Sequence, residues 1–155
     1  MRRKWTLSLL AVAAASVAAP LALAQTKQSV WDGVYTGAQA DRGHLFYAQR
    51  CAMCHGPALE GNGETPPLTG EFIPDWAGTS LADLQEKITT TMPLNAPGTL
   101  SPAAASDILA YLLQKNNFPA GGAELATAPE SLGAISFDAS KPKPPPAPVP
   151  APRKH

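Results

Sequence analysis

Cys51-Ala52-Met53-Cys54-His55 contains both cysteines of this 155-residue chain. The C-x-x-C-H spacing sets two thiols where they can add to the two vinyl groups along one haem edge, with the imidazole of His55 next in line to meet the iron. Two other chemistries use paired cysteines. A thioredoxin-like redox pair expects a strand ahead of the motif in a βαβ setting, whereas helical periodicity precedes it here. A closed structural zinc site takes four ligands, and only His44 and the terminal His155 remain to complete one. Covalent attachment of a single haem c through Cys51 and Cys54, with His55 on the iron, uses every chemically distinctive residue of the segment.

An iron held by His55 has a second axial face. Met1 belongs to the leader described below, Met53 is enclosed within the attachment loop, and His155 ends a Pro-rich tail. His44 and Met92 are left. His44 adjoins Gly43 on a helical face that reads as solvent-facing. Met92 follows a helix and precedes Pro93, on a separate strap that can reach the other side of a haem. A methionine is usually core filler, but Met92 is the soft ligand that remains, and His/Met pairing is an established ligation of c-type haem.

Outward from the motif, Thr36-Gly37-Ala38-Gln39 has capping-box spacing and opens a helix toward Arg50. Gly43, Tyr47 and Cys51 fall on one face of it. A glycine there costs about 1 kcal/mol against alanine, so another helix is expected to cross close by. Ser80-Leu81-Ala82-Asp83 is a second capping box, opening a helix that Met92-Pro93 ends. Ser101-Pro102 opens a third, with apolar positions Ala104, Ile108, Tyr111 and Leu112. Gly56 to Asp75 is rich in Gly and Pro and reads as turns that wrap something. No segment alternates convincingly as a strand.

Residues 1–24 read as a secretory signal: Arg2-Arg3-Lys4, an apolar run from Leu7 to Val17, and Ala22-Leu23-Ala24 before Gln25. An uncleaved anchor is the rival, since about 20 apolar residues span a bilayer, but the alanines, Pro20 and the Ala-x-Ala ending favour cleavage after Ala24. Twin-arginine export is disfavoured, because haem is attached to an unfolded chain after translocation. The chain is formally neutral. Loss of the leader removes three cations and no acid, which disfavours a basic nucleic-acid reader. The division is therefore a signal over 1–24, a domain over 25–120 whose lead-in offers Trp31 and Tyr35 for packing, and an extended Pro-rich tail over 121–155.

Together with Cys51 to His55, the residues Gly43 and Tyr47, Pro66-Pro67-Leu68-Thr69-Gly70, Met92-Pro93 and Asp107-Ile108-Leu109-Ala110-Tyr111-Leu112 resemble a class I monohaem cytochrome c over roughly residues 31 to 117. More narrowly, Gln39-Ala40-Asp41-Arg42-Gly43 and Pro97-Gly98-Thr99-Leu100-Ser101 resemble cytochromes associated with bacterial quinoprotein alcohol dehydrogenases. The resemblance implies an all-α fold, three main helices and loops wrapped around one covalent haem, with the first and last helices crossing near Gly43 and Tyr111. It gives Pro66 the carbonyl that accepts the proton on the far nitrogen of His55, and places Trp76 near a haem propionate, with ordinary packing as the alternative for that ring.

An iron with both axial places filled by protein leaves no position for a substrate. The expected role is then a periplasmic one-electron carrier of a respiratory chain, not an enzyme, passing charge from a dehydrogenase, a quinoprotein enzyme among the candidates, toward a terminal oxidase or other acceptor. Two alternatives stand beside it. One is a haem sensor or small peroxidase with a labile Met92, although Thr90, Thr91 and Asn95 are the only polar groups near that strap. The other is a fixed cytochrome subunit of a membrane dehydrogenase or oxidase, where membrane association comes through the partner.

Overall fold

The computed structural model describes residues 27–143. The leader over 1–24 and the last part of the Pro-rich tail, with His155, lie outside them. The chain enters as strand β1 (Gln28–Ser29) and a 3-10 turn at Val30–Asp32, followed by helix α1 (Gly37–Arg50) and the single-turn helix α2 (Ala52–His55). A loop carrying the short helix α3 (Phe72–Trp76) leads to α4 (Leu81–Thr91), then α5 (Pro102–Lys115), α6 (Pro129–Leu132) and β2 (Ile135–Ser136).

The three longer helices begin at their caps. Thr36 Oγ1 accepts the Gln39 amide at 3.1 Å. Ser80 and Asp83 complete a reciprocal box, and Ser101 caps α5 with Pro102 in its first turn, where a missing N–H costs nothing. The box expected at Thr36 is only half formed, because the Gln39 side chain is engaged elsewhere. The helices α2, α3 and α6 and the two short strands are additions to the sequence reading.

Helices α1 and α5 cross in direct contact. A Cβ at Gly43 would overlap the carbonyl of Asp107, so glycine is what lets the two backbones approach. Almost the whole circumference of α5 is buried, from Ala104 to Leu113. The helix is core on nearly every side, and its buried polar residues Ser106 and Asp107 are answered by Gln85, Ala126 and Arg42.

Residues 121–137 do not form the extended tail expected from their weak periodicity. They run back across the body and bury Leu125, Leu132, Ile135 and Phe137, each about 1.5–3 kcal/mol of apolar transfer in favour of folding. Four successive residues of this clamp are pinned by polar groups of three helices. Arg42 donates to Glu124, and Gln39 both donates to the Leu125 carbonyl and accepts its amide. Ser106 donates to Ala126, and Gln85 donates to Thr127 and to Ser106. β2 then pairs in parallel with β1.

At the far end of the clamp, Phe137 meets Phe72 and Phe118 edge to face, at centroid separations of 5.9 and 5.4 Å. Trp31 packs on Phe118 and donates its indole N–H to Asp138, while Tyr35 donates to the Phe118 carbonyl at 2.7 Å. Lead-in and clamp thus share one aromatic cluster, and at Gly121 their backbones touch so closely that a Cβ would strike the Gly33 carbonyl.

Candidate functional site

A cleft of about 350 Å³ opens between the α1–α2 junction, the 64–76 loop, α4 with the strap that follows it, and α5. Its interior is apolar: Leu68, Phe72, Leu84, Ile88, Ile108 and Leu112 form walls. Cys51, Cys54, His55, Pro66, Trp76 and Met92 all line it. His44 does not; it is exposed on α1, stacked on Tyr111 at 5.0 Å between centroids.

The motif is positioned by local backbone bonds. The His55 amide donates to the Cys51 carbonyl at 2.9 Å, and Tyr47, one turn before Cys51, donates its hydroxyl to the Gly56 carbonyl at 2.6 Å. This pin between the end of α1 and the exit from the motif went unread in sequence, because a hydroxyl-to-carbonyl bond leaves no pattern. Burial is the first cause that raises the Tyr47 hydroxyl well above the ordinary tyrosine value, so it stays a donor.

His55 Nδ1 lies 3.0 Å from the Pro66 carbonyl oxygen. A carbonyl only accepts, so Nδ1 carries the hydrogen of this bond, and in the neutral imidazole the lone pair is then on Nε2. The Pro66 carbonyl is itself held by its neighbours, since Asn62 and Thr65 form a turn and the Leu68 amide bonds back to Leu59 at 2.9 Å. Asn116 closes the loop by donating to the Leu68 carbonyl.

Met92 caps the C-terminus of α4. Thr89, Thr90 and Thr91 spend their hydroxyls on the carbonyls one turn back, so the polar groups next to Met92 are turned toward the helix. Trp76 is half-buried on α3 and tilted against Phe72. The mouth carries Arg50, Glu64, Asp75, Lys87, Leu94 and Asn95, which no local motif singles out.

Burial pushes the Cys51 thiol up to about 11, with Cys54 adding to the shift and Arg50 opposing it. A reactive redox thiol needs the opposite displacement. Among the described residues, no three His, Cys, Asp or Glu side chains are grouped as ligands of an ion, so the four-ligand zinc reading finds no site there. The donor set fits a haem: two thiols near one rim, an imidazole with its free nitrogen available, a thioether, and apolar walls.

Residues 38–112 match the family described as "Cytochrome C oxidase, cbb3-type, subunit III". Among solved structures, the sulfane dehydrogenase SoxCD from Paracoccus pantotrophus is similar at 21% identity and a TM-score of 0.48, over 68% of this chain and 61% of that one. The match therefore spans about three fifths of that neighbour. No curated protein matches the sequence. The matched span, just under half of the 155-residue chain, contains the C-x-x-C-H segment and is similar to a cytochrome c domain, a likeness that points to a covalent haem c and to electron transfer.

Proposed function

We propose that this chain is an exported, periplasmic one-electron carrier with a single haem c, exchanging electrons between a dehydrogenase and a terminal acceptor. Cys51 and Cys54 would hold the group through two thioether bonds, and His55 and Met92 would take the two axial positions. The observation that carries the reading is that these four residues, distant in sequence from Cys51 to Met92, line one apolar cleft. When bound, the haem supplies a one-electron ferric/ferrous couple.

The chain's own residues do the rest. Pro66 accepts the Nδ1 hydrogen of His55, which orients the ring and raises its donor strength. Leu84, Ile88, Ile108 and Leu112 keep water from the cleft, and a thioether on Met92 favours the ferrous state, so the potential should lie above that of a bis-histidine site. Trp76 lines the cleft, where its indole N–H could meet a propionate. The leader over 1–24 and the need for haem attachment outside the cytoplasm support the periplasm as the compartment. The likeness of residues 39–43 and 97–101 to cytochromes of quinoprotein alcohol dehydrogenases makes such an enzyme one candidate donor.

Met92→Ala tests the assignment. Haem should remain attached, the near-infrared band of sulfur-ligated ferric iron should vanish, and the potential should fall. An unchanged spectrum would give the position to another residue. Fast carbon monoxide binding to the reduced wild-type protein would instead favour the sensor or peroxidase reading.

A fixed subunit is the second reading. The matching family is described by an oxidase subunit, and Leu45 on the outer side of α1 is 62% exposed. Among the described residues no helix is long and apolar enough to cross a membrane, so a membrane location would come through a partner or an uncleaved leader. Stoichiometric co-purification with a dehydrogenase or oxidase would support this reading over a free shuttle.

A further inference from the structure

Helix α4 carries a second cavity on the side turned away from the cleft. Leu84, Lys87 and Ile88 line the cleft, whereas Ala82, Asp83, Gln85, Glu86 and Thr89 line a separate hollow of about 360 Å³. The two sets interleave as helical periodicity requires. Leu100, Pro102 and Pro129 add apolar walls from the approach to α5 and the start of α6. We propose that this hollow binds a primary alkylammonium group, with its stem along those apolar walls and its head among Asp83, Glu86 and the amide oxygen of Gln85.

Among the described residues, the charged groups of the lining are both acids. Asp83 and Glu86 stand three residues apart on one helix, where like charges are neighbours and repel. Both ion pairs among the described residues belong to Arg42, so neither acid is neutralised by them. The Ser80 amide and hydroxyl each donate to Asp83 Oδ2 at 2.8 Å, which holds that carboxyl below the ordinary aspartate range. Gln85 supplies the independent sign of a ligand. The residue is only 5% exposed, and its Nε2 donates to Ser106 Oγ and to the carbonyls of Thr127 and Pro102. Carbonyls only accept, so these bonds fix which end of the amide is nitrogen. Oε1 then has no hydrogen-bond partner among the described residues, and it is not sealed from solvent, since the sealed unpartnered side-chain atom among them is Asn116 Oδ1. A buried amide that spends its donors on the fold and keeps a free acceptor at a hollow is completed by a donor placed there.

An ammonium head presents three N–H donors, one for each of these acceptors. A hard metal ion takes about six or more oxygens, and among the described residues no three His, Cys, Asp or Glu side chains are grouped around one point. The volume falls within the range of about 300–1,000 Å³ typical of organic-ligand pockets, and the apolar walls suit methylene groups. The head has two sources, a free amine or Lys154 of the chain's own tail, which lies outside the described residues. That tail follows Ser136, which bridges Ser80 one turn ahead of Asp83.

The test titrates the reduced, haem-loaded protein with n-butylammonium chloride and follows backbone amides by NMR, against sodium chloride at matched ionic strength. Saturable shifts should be confined to residues 82–89, 98–102 and 127–129. Butan-1-ol should not produce them, and n-butyltrimethylammonium, which has the same charge and no N–H, should bind several-fold more weakly. Glu86 is exposed, so Glu86→Gln should keep the fold and the visible spectrum while weakening n-butylammonium binding several-fold; Asp41→Asn on α1 is the unchanged control. Lys154→Gln separates the sources. Tighter n-butylammonium binding in that variant would mean that the tail's own lysine competes for the hollow, and unchanged binding would make a free amine the occupant; either result upholds the site. Shifts no larger than the salt baseline, equal binding of the trimethyl analogue, undiminished binding in Glu86→Gln, or tighter binding of calcium chloride at the same amides would overturn it. The hollow lies across α4 from the cleft, so failure of the carrier reading would leave these outcomes where they stand.

Discussion

The cleft and the clamp are built in opposite ways. Around the cleft, chemistry is concentrated: five consecutive residues from Cys51 to His55 carry most of it, and bonds such as His55 to Pro66 or Tyr47 to Gly56 join residues close in sequence. In the clamp, chemistry is dispersed. Leu125 is tied to Gln39 and Glu124 to Arg42 across more than eighty residues of chain, and the receiving groups at Leu125, Ala126 and Thr127 are backbone atoms. A short motif can name a ligand set, whereas a distributed fastening is visible only once the chain has folded.

The largest expected effect falls on the cleft. Replacing both thiols, Cys51→Ser with Cys54→Ser, should abolish covalent haem, read as loss of the added mass and of the visible bands after denaturation. Retention of covalent haem in that variant would break the account of the site. The clamp should survive, or fail only through lost stability, because none of its four pins involves the motif.

Next comes the clamp's own anchor. Phe137 is fully buried between two aromatic rings, so Phe137→Ala should lower unfolding free energy by about 3–5 kcal/mol, measured by denaturant titration of the haem-loaded protein. Its spectrum in the absence of denaturant should keep the wild-type axial signature. A change of axial ligation would instead mean that the two regions are coupled, through Phe72, which touches Phe137 and also lines the cleft.

The contrast explains how much could be read in advance. Thr36, Ser80 and Ser101 announced the three longer helices because a cap acts over three residues. Gly43 announced the helix crossing because its cost within a helix demands a packing reason. Cys51, Cys54, His55 and Met92 were brought to one cleft, and Pro66 and Trp76, given by resemblance, line it too. Residues 121–137 read as tail because Leu125, Leu132, Ile135 and Phe137, spaced by seven, three and two residues, sustain no single helical or alternating period, and Gln39 read as half of a capping box. That side chain could serve either its own helix or the clamp, and only tertiary packing decides between them.

Gln39 therefore gives the next test. Gln39→Ala leaves the Leu125 amide and carbonyl buried without partners, a loss of about 1–3 kcal/mol. Hydrogen exchange should accelerate at residues 124–127 well before it does at the motif. Equal acceleration in both regions would show that clamp and cleft open as one unit.

The smallest effect belongs to the exposed end of the same fastening. Hydrogen bonds from Arg42 are the first cause holding the Glu124 carboxyl below the ordinary glutamate range, with slight burial opposing them. A carboxyl lowered in the folded state contributes stability that is full above its unfolded value, about 4.3, and is lost as pH falls through the folded value. Glu124→Gln should therefore cost stability at neutral pH, and the difference from wild type should shrink as pH falls below about 4. Because both side chains are exposed, added salt should shrink it as well. A difference that persisted in acid and salt would mean that Glu124 holds the clamp by shape rather than by charge, leaving Gln39, Ser106 and Gln85 as its polar fastenings.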